Sequence, residues 1–294
     1  MHADHHYEIG SSHTACEDYA VSGTQGGLSY ALLADGCSSS KDSDVGARVL
    51  CHVAKNAMLY LHRQGRLKEE RYVSDLLPSV LREMVVMKAI EIRASLGLPH
   101  EAFDATLLAA FCCEGFRGDP AWGFIGFGDG AAVIRYPDGG SRVFRAEYES
   151  GAPYYLSYGM SKERDDAYRR SYDRSRISTV IDFNPDGSRK RLKTAKWEPF
   201  TDYTFFMSHD IVIEPPIQIV LFSDGVDSYE HFDEVGARTH RDCIDVIDEA
   251  MLYKSVSGEF VKRRMRAMGK SMAARGYRHY DDVSCAAVHI GKGD

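Results

Sequence analysis

The segment Leu32–Ser39 reads LLADGCSS, an apolar run that ends abruptly in Asp-Gly. The same pattern recurs at Asp129 in GFGDGAAV and at Asp224 in VLFSDGVD. A carboxylate at the tip of a buried strand is costly to desolvate unless it finds cations or hydrogen-bond donors. Because three apolar runs end in the same way, we expect their carboxylates, Asp35 included, to gather at one end of the sheets.

Two further Asp-Gly pairs have a simpler explanation. Asp138 and Asp186 each follow proline and precede polar residues, which is typical of a tight turn. Asp129 keeps a turn as its alternative reading, because Gly-Asp-Gly also suits a tight hairpin.

Two more acidic sites extend the set. Glu17 and Asp18 in ACEDYAV occupy the point where the first strand should turn into the next, and HYDDVSCAAV places Asp281 and Asp282 at the start of the last strand. Either of the last two could point inward, and Asp281 is favoured. Glu17 could also act through water or be a surface acid.

An all-oxygen set without a matching His and Cys cluster selects Mg²⁺ or Mn²⁺ over zinc. Two divalent ions would relieve the repulsion among these carboxylates. Two such ions about 3.5–4 Å apart commonly hydrolyse phosphate esters with a bridging water as nucleophile. The glycine after each Asp lets the backbone approach a metal closely, and Gly36 is the best candidate to offer its carbonyl.

Composition excludes several classes of protein. The 294 residues carry a net charge of −7 with a pI of about 5.9, which argues against a nucleic-acid binder. No apolar run approaches the roughly 18 residues that span a bilayer. The N-terminal MHADHHYE has no basic and apolar leader, and its histidines fit a solvated terminus better than a metal site. With seven scattered cysteines, we expect a cytoplasmic protein with reduced thiols.

The order of elements predicts an α+β fold. Helical spacing covers Val45–Arg63 and Val73–Leu96, the intervening and following segments are β-rich, and two further helices are expected over 243–253 and 259–275 before a final strand. Helices grouped in pairs disfavour a βαβ alternation. We expect a single domain over 1–294, with a loop or small insertion around 147–198. The charged patch Lys162–Arg176 within it reads as a solvated loop, with contact to a partner as the alternative.

Six segments occur in order over residues 11 to 290: SSHTACEDYA, LLADGCSSSKDSDVGARVL, FDATLLAAF, FIGFGDGAAVI, IVLFSDGVDSY and DDVSCAAVHI. Together they resemble the metal-dependent protein phosphatases of type 2C, most of all their compact bacterial branch. The resemblance implies a four-layer α/β/β/α sandwich with two central antiparallel sheets flanked by helix pairs. It also implies a centre of two Mn²⁺ or Mg²⁺ ions that hydrolyses phosphoserine or phosphothreonine in proteins.

The resemblance also implies roles for single residues. Asp35 matches the carboxylate that bridges both metals, the Gly36 carbonyl matches a ligand of one ion, and Asp224 and Asp281 match ligands of the other. Glu17 and Asp18 match the acidic pair that holds the site, partly through waters. Asp129 matches the residue that helps to bind a third, weaker ion.

The chain departs from the family pattern at His13. Many members carry an arginine here, and its bidentate grip on the substrate phosphate is then missing. Substrate phosphate would rest on the metals, on waters and on His13. His13 could also be the general acid that protonates the leaving alkoxide.

Three functions stay open from the residues alone. The first is a serine/threonine protein phosphatase, for which a cognate kinase encoded elsewhere is an expected partner. The second is a catalytically silent scaffold with the phosphatase fold, which binds partner proteins. The third is a two-metal phosphatase acting on a small phosphorylated molecule. Because every matched carboxylate is present, the enzyme reading is preferred to the scaffold.

Overall fold

The computed structural model describes residues 1–116, 118–172, 176–197, 205–208, 215–232 and 238–291. The strands within these ranges are β1 His2–Glu8, β2 Tyr19–Gln25, β3 Leu28–Ala34, β4 Leu107–Glu114, β5 Pro120–Phe127, β6 Gly130–Arg135, β7 Ser141–Tyr148, β8 Arg176–Phe183, β9 Arg189–Trp197, β10 Phe205–Ser208, β11 Gln218–Phe222, β12 Tyr229–Phe232, β13 Arg238–His240, β14 Tyr277–His279 and β15 Val283–His289. The helices are α1 Ser43–Arg63, α2 Glu70–Asp75, α3 Leu77–Leu96, α4 Lys162–Ser171, α5 Cys243–Ala250 and α6 Phe260–Ala274.

The strands of the described residues form three antiparallel sheets. The largest has seven strands in the order β1-β15-β11-β6-β7-β8-β9, and the second has five in the order β10-β5-β4-β3-β2. A small third sheet, β13-β12-β14, was not predicted. Its strands are only three or four residues long, too short for a periodic pattern to reveal them.

Strand β3 shows how the layers are held together. Its side chains alternate between the two faces of the sheet, as strand geometry requires. Leu28 and Leu32 belong to the apolar cluster under α1 and α3, whereas Ala31 and Leu33 belong to the cluster between the two large sheets. A third cluster lies between the seven-stranded sheet and helices α5 and α6. The predicted α/β/β/α sandwich is therefore confirmed.

The second predicted helix, Val73–Leu96, is wrong in one respect. The structure has two helices here, α2 and α3, which meet at Leu76. Pro78 is the second residue of α3. Because proline lacks an N–H and disfavours a helical conformation in the residue before it, it starts a helix more readily than it continues one.

The solvated loop predicted for the charged patch is also wrong over most of its length. Residues Lys162–Ser171 form helix α4, whose first turn is capped by the Ser161 hydroxyl. The wider segment also contains strands β8 and β9, whose connection turns at Asn184–Ser188 as the Pro-Asp-Gly motif predicts. Residues 173–175 and 198 of these two predictions lie outside the described residues.

No described helix combines the length and the apolar character needed to cross a bilayer.

Candidate metal centre

The predicted acidic residues reach one place from five separate segments. Asp35 directly follows β3, Asp129 lies in the turn between β5 and β6, Asp224 follows β11 by two residues, Asp18 precedes β2 and Asp281 precedes β15. Asp35 lies close enough to Asp18 and Asp224 for the charges of both carboxyls to raise its pKa. The edges of both large sheets thus deliver carboxylates to a common centre.

The carboxyl groups strongly perturb one another. Burial, followed by the charges of Asp18 and Asp224, raises the pKa of Asp35 well above its usual value. Burial and the charge of Asp224 do the same for the pKa of Asp129 and, to a smaller extent, for that of Asp281. Burial raises the pKa of Asp18 to about 7, although the Ser223 hydroxyl donates to its Oδ2 at 2.8 Å.

The donor set fits divalent cations. Asp18 Oδ1 and Asp224 Oδ1 are buried and have no hydrogen-bond partner. Among the described residues, no Lys or Arg side chain forms a direct ion pair with Asp18, Asp35, Asp129 or Asp224. Buried carboxylates that lack donors and repel one another are stabilised by hard cations with oxygen ligands. The residues present could therefore hold Mn²⁺ or Mg²⁺.

Gly36 owes its identity to crowding of the backbone. A Cβ at this position would lie 2.9 Å from the Glu17 carbonyl oxygen and 3.0 Å from the Ser43 carbonyl oxygen. Two hydrogen bonds hold the preceding residue, Asp35. Its N–H donates to Thr106 Oγ1 at 3.0 Å, and its carbonyl accepts the Thr106 N–H at 2.9 Å. The Asp35-Gly36 backbone is thereby positioned rigidly next to the acidic pair.

The two adjacent acids Asp281 and Asp282 have different environments. Asp282 is buried, and its two carboxylate oxygens accept the N–H groups of Gly10 at 2.7 Å and Glu17 at 2.6 Å. The Asp281 side chain is 38% exposed, and the charge of Asp224 contributes to its raised pKa. This supports Asp281 as the residue that faces the centre, and assigns Asp282 to holding the N-terminal segment in place.

His13 lies at the edge of the acidic cluster. Its Nδ1 is 3.2 Å from Asp282 Oδ1 and 3.9 Å from Glu17 Oε2, and its Nε2 is 3.4 Å from Asp281 Oδ1. Burial lowers the pKa of the imidazole, but Asp282, Asp281 and Glu17 outweigh it and raise that pKa overall. Ligand atoms of His13, Glu17 and Asp282 lie within 4.8 Å of one another, a grouping that could also bind a metal ion.

Sequence reasoning missed a group of charges next to Asp129. A cavity of about 210 Å³ is lined by Asp129 and Asp224 and also by Arg145, Glu147 and Asp227. The Arg145 guanidinium binds Asp227 directly and lies 2.8 Å from Glu147 Oε1. Asp227 could have been noticed, since it is three residues after Asp224 and a helical turn brings residues at that spacing to the same side.

Arg145 gave no such signal, because its strand β7 carries several polar residues. Among the described residues that line the cavity, it is the one cation. Arg145 thus pairs with Asp227 and Glu147. Asp129 and Asp224 have no Lys or Arg partner among the described residues.

Comparison with known proteins agrees with the fold. A family model described as protein phosphatase 2C matches residues 8–267. The chain therefore belongs to the protein phosphatase 2C family. No curated protein matches it.

Two solved structures with a similar fold are bacterial. One is a bacterial serine phosphatase, 11% identical, with a TM-score of 0.52 over 100% of this chain and 99% of that one. The other is the serine/threonine phosphatase Stp1 from Staphylococcus aureus, 10% identical, with a TM-score of 0.52 over 99% of this chain and 95% of that one. At such low identity, these likenesses concern the fold alone.

Proposed function

We propose that the protein is a metal-dependent serine/threonine phosphatase that removes phosphate from phosphoserine and phosphothreonine in proteins. The observation that carries the proposal is the convergence of Asp18, Asp35, Asp129, Asp224 and Asp281 on one centre without a pairing Lys or Arg among the described residues. A silent scaffold would gain nothing from holding five mutually repelling carboxyls. Burying these carboxyls together lowers the stability of the folded protein. A chain that retains them is therefore expected to use them in its function.

The residues divide into direct ligands and supports. Asp35 would bridge two ions, with the Gly36 carbonyl on one of them and Asp224 and Asp281 on the other. Asp129 would help to hold a third, weaker ion, and Glu17 and Asp18 would act partly through waters. When bound, Mn²⁺ or Mg²⁺ ions supply a bridging water as nucleophile and offset the charge of the phosphate.

His13 would serve the substrate and not the ions. Its Nε2 lies 3.4 Å from Asp281 Oδ1, so the ring is oriented at the rim of the centre. A protonated imidazole there can donate to a substrate phosphate oxygen or give its proton to the leaving alkoxide. Asp282, which contacts Nδ1, holds the ring in place.

The test compares hydrolysis of p-nitrophenyl phosphate and of a phosphothreonine peptide by the wild type and by Asp224→Asn, with Mn²⁺, with Mg²⁺ and with EDTA. We expect turnover of both substrates with metal and none with EDTA. Loss of an outer-shell partner of a metal typically costs about 10–100-fold, so we expect loss of a direct ligand to cost more than about 100-fold.

The matched control is Asp75→Asn, which makes the same chemical change at an exposed carboxylate paired with the exposed Arg71. This control should retain wild-type turnover. Turnover of the small ester alone would redirect the proposal to a small phosphorylated substrate. A folded protein without turnover under any metal would make the silent scaffold the better account. A cognate kinase remains a proposed partner, to be sought once the substrate is known.

A further inference from the structure

Helix α6 is basic in a chain whose net charge is −7. It contains five cationic residues and no acidic one: Lys262, Arg263, Arg264, Arg266 and Lys270. Three of the five donate hydrogen bonds within the chain. Lys262 donates to Glu259 Oε1 at 2.7 Å, Arg263 to the Ser257 carbonyl at 2.7 Å and Arg264 to the Glu249 carbonyl at 2.8 Å. In the described part of the chain, the side chains of Arg266 and Lys270 form no hydrogen bond or ion pair, and both residues are exposed.

These two cations line a groove between α6 and strand β1. Its volume is about 640 Å³, and its β1 side is formed by His6, Tyr7 and Glu8. On the helix side, Gly269 and Ala273 leave the groove open because they have no bulky side chain. Among the described residues that line the groove, Glu8 is the one acid, and its Oε2 lies 3.3 Å from His6 Nε2.

The groove follows the edge of the seven-stranded sheet. β1 is the terminal strand of that sheet and pairs with β15 along its whole length. Within the described residues, β1 has no second strand partner and makes no main-chain hydrogen bond outside this ladder. Successive residues of a strand point to opposite faces, so three consecutive lining residues place the groove along the open edge. Such an edge presents unpaired N–H and C=O groups.

We propose that this groove binds an extended acidic segment of a partner protein, which adds to β1 as a further strand. Main-chain hydrogen bonds to the open edge would hold the segment, and its carboxylates would pair with Arg266 and Lys270. The spacing supports this occupant. Residues four apart on a helix are about 6 Å apart along its axis, and alternate side chains of a strand are about 6.8 Å apart.

Two acids separated by one residue therefore match the two free cations. A nucleic acid could use the cations but not the row of main-chain groups along the open edge. The proposal concerns a surface outside the acidic centre and does not depend on phosphatase activity.

The experiment uses a fluorescein-labelled probe peptide, Thr-Glu-Val-Glu-Val-Glu-Thr, and measures its binding to the full chain by fluorescence anisotropy. We expect saturable binding that weakens as ionic strength rises. The double variant Arg266→Glu with Lys270→Glu should lower the affinity by about tenfold or more, because attraction becomes repulsion. The control Arg63→Glu with Arg71→Glu changes the net charge equally at two exposed arginines, one in α1 and one in α2, and should keep most of the affinity.

Strand addition is separated from simple charge attraction by two N-methylated probes. One carries methyl groups on the even-numbered amides and the other on the odd-numbered amides, so only one of them blocks the donors that face β1. We expect one probe to lose binding and the other to retain it. Equal binding of both methylated probes, equal loss in both charge-reversal variants, or no binding to the wild type would overturn the proposal. Tighter binding of a fluorescein-labelled single-stranded oligonucleotide would overturn the choice of occupant.

Discussion

At the residue scale, glycines beside the acidic residues allow two backbones to approach closely. Gly225 follows Asp224, and a Cβ there would lie 1.7 Å from the carbonyl oxygen of Asp282. This contact joins the segment after β11 to the segment before β15, and so brings Asp224 towards Asp281. The glycine therefore serves the packing of two acidic segments, beyond the needs of a turn.

Gly225→Ala should destabilise the protein by at least about 2–3 kcal/mol, because the added methyl group overlaps backbone that cannot move without displacing β15. Urea unfolding measures the change. The control is Gly269→Ala in the interior of α6, where nothing lies within 4 Å of the new Cβ. That change should stabilise the protein by about 0.5–1 kcal/mol through helix propensity. Equal effects of the two substitutions would contradict the packing argument.

The proposed proton donor can be tested through the leaving group. His13→Gln should slow hydrolysis of phenyl phosphate by about 10²–10⁴-fold, because a poor leaving group needs a proton as the bond breaks. Hydrolysis of p-nitrophenyl phosphate should fall far less, since its leaving group departs as a stable anion. His52→Gln, at an exposed histidine that contacts the Tyr19 hydroxyl, is the control. An equal loss on both esters would remove the general acid role from His13.

At the scale of elements, helix α4 is tied to the loop that precedes β4. The Arg164 guanidinium spans both oxygens of Asp104, at 2.9 and 2.7 Å. Asp104 is buried, and it also accepts hydrogen bonds from the hydroxyls of Ser40 and Ser157. The Asp104 carbonyl accepts the N–H of Cys37, two residues after Asp35. The helix is thus connected to the acidic centre by a short chain of contacts.

Arg164→Met should destabilise the protein by about 3–5 kcal/mol, because it leaves the buried Asp104 carboxylate without its cation. Adding Asp104→Asn in the same chain should recover part of that loss, since the unpaired charge is then removed. Arg169→Met, which breaks an exposed pair with Asp165, should cost at most about 1 kcal/mol. Urea unfolding of the wild type, the single variants and the double variant measures the coupling, and additive effects of the two buried changes would show that the pair is independent.

At the scale of the whole molecule, the acidic centre opposes folding in the absence of a cation. Carboxyls from the ends of both large sheets repel one another, and the sandwich holds them together through its three apolar clusters. Any cation that binds the folded state alone adds stability by mass action. The centre is therefore expected to couple metal binding to the stability of the entire domain.

Mn²⁺ at 100 times its dissociation constant should raise the free energy of unfolding by about 2.7 kcal/mol over the value in EDTA. In EDTA, Asp129→Asn should stabilise the protein, because it removes a buried carboxyl whose ionisation is opposed by burial and by the charge of Asp224; with Mn²⁺ the advantage should shrink or reverse. Urea unfolding under both conditions measures these changes, with Asp75→Asn as the neutral control. A stability that is indifferent to Mn²⁺ would contradict a metal centre.

The raised pKa values predict how the metal-free protein responds to pH. The folded state holds protons on Asp18, Asp35 and Asp129 that the unfolded chain releases near pH 3.8. Between that pH and about 7, the folded pKa of Asp18, the folded state binds more protons, so stability should fall as pH rises. Thermal unfolding in EDTA across this range measures the slope, which should flatten in Asp18→Asn. A slope that stays unchanged in the variant would exclude this group as its source.

Much of the order of strands and helices, and a set of candidate ligands, could be predicted from sequence. Apolar periodicity is a local property, and it identified α1 and the β-rich segments, while the resemblance to a known family supplied the antiparallel sheets and the four-layer arrangement. The recurrence of Asp-Gly after apolar runs singled out Asp35, Asp129 and Asp224 from the order of residues alone. Periodicity did not reveal the helix break at Leu76, helix α4 or the third sheet, where caps and neighbouring segments outweigh the local pattern.

Only the tertiary structure decided which charged residues meet. Asp18 and Ser223 are 205 residues apart, Asp282 and Gly10 are 272 apart, and the ion pair between Arg164 and Asp104 spans 60. No local pattern predicts such contacts, because they depend on how the two sheets and their loops pack. The sequence by itself therefore determined the class of fold and the inventory of carboxylates. Packing decided which carboxylates remain unpaired, and so which can hold cations, because an ion pair forms only where folding brings the two charges within contact distance.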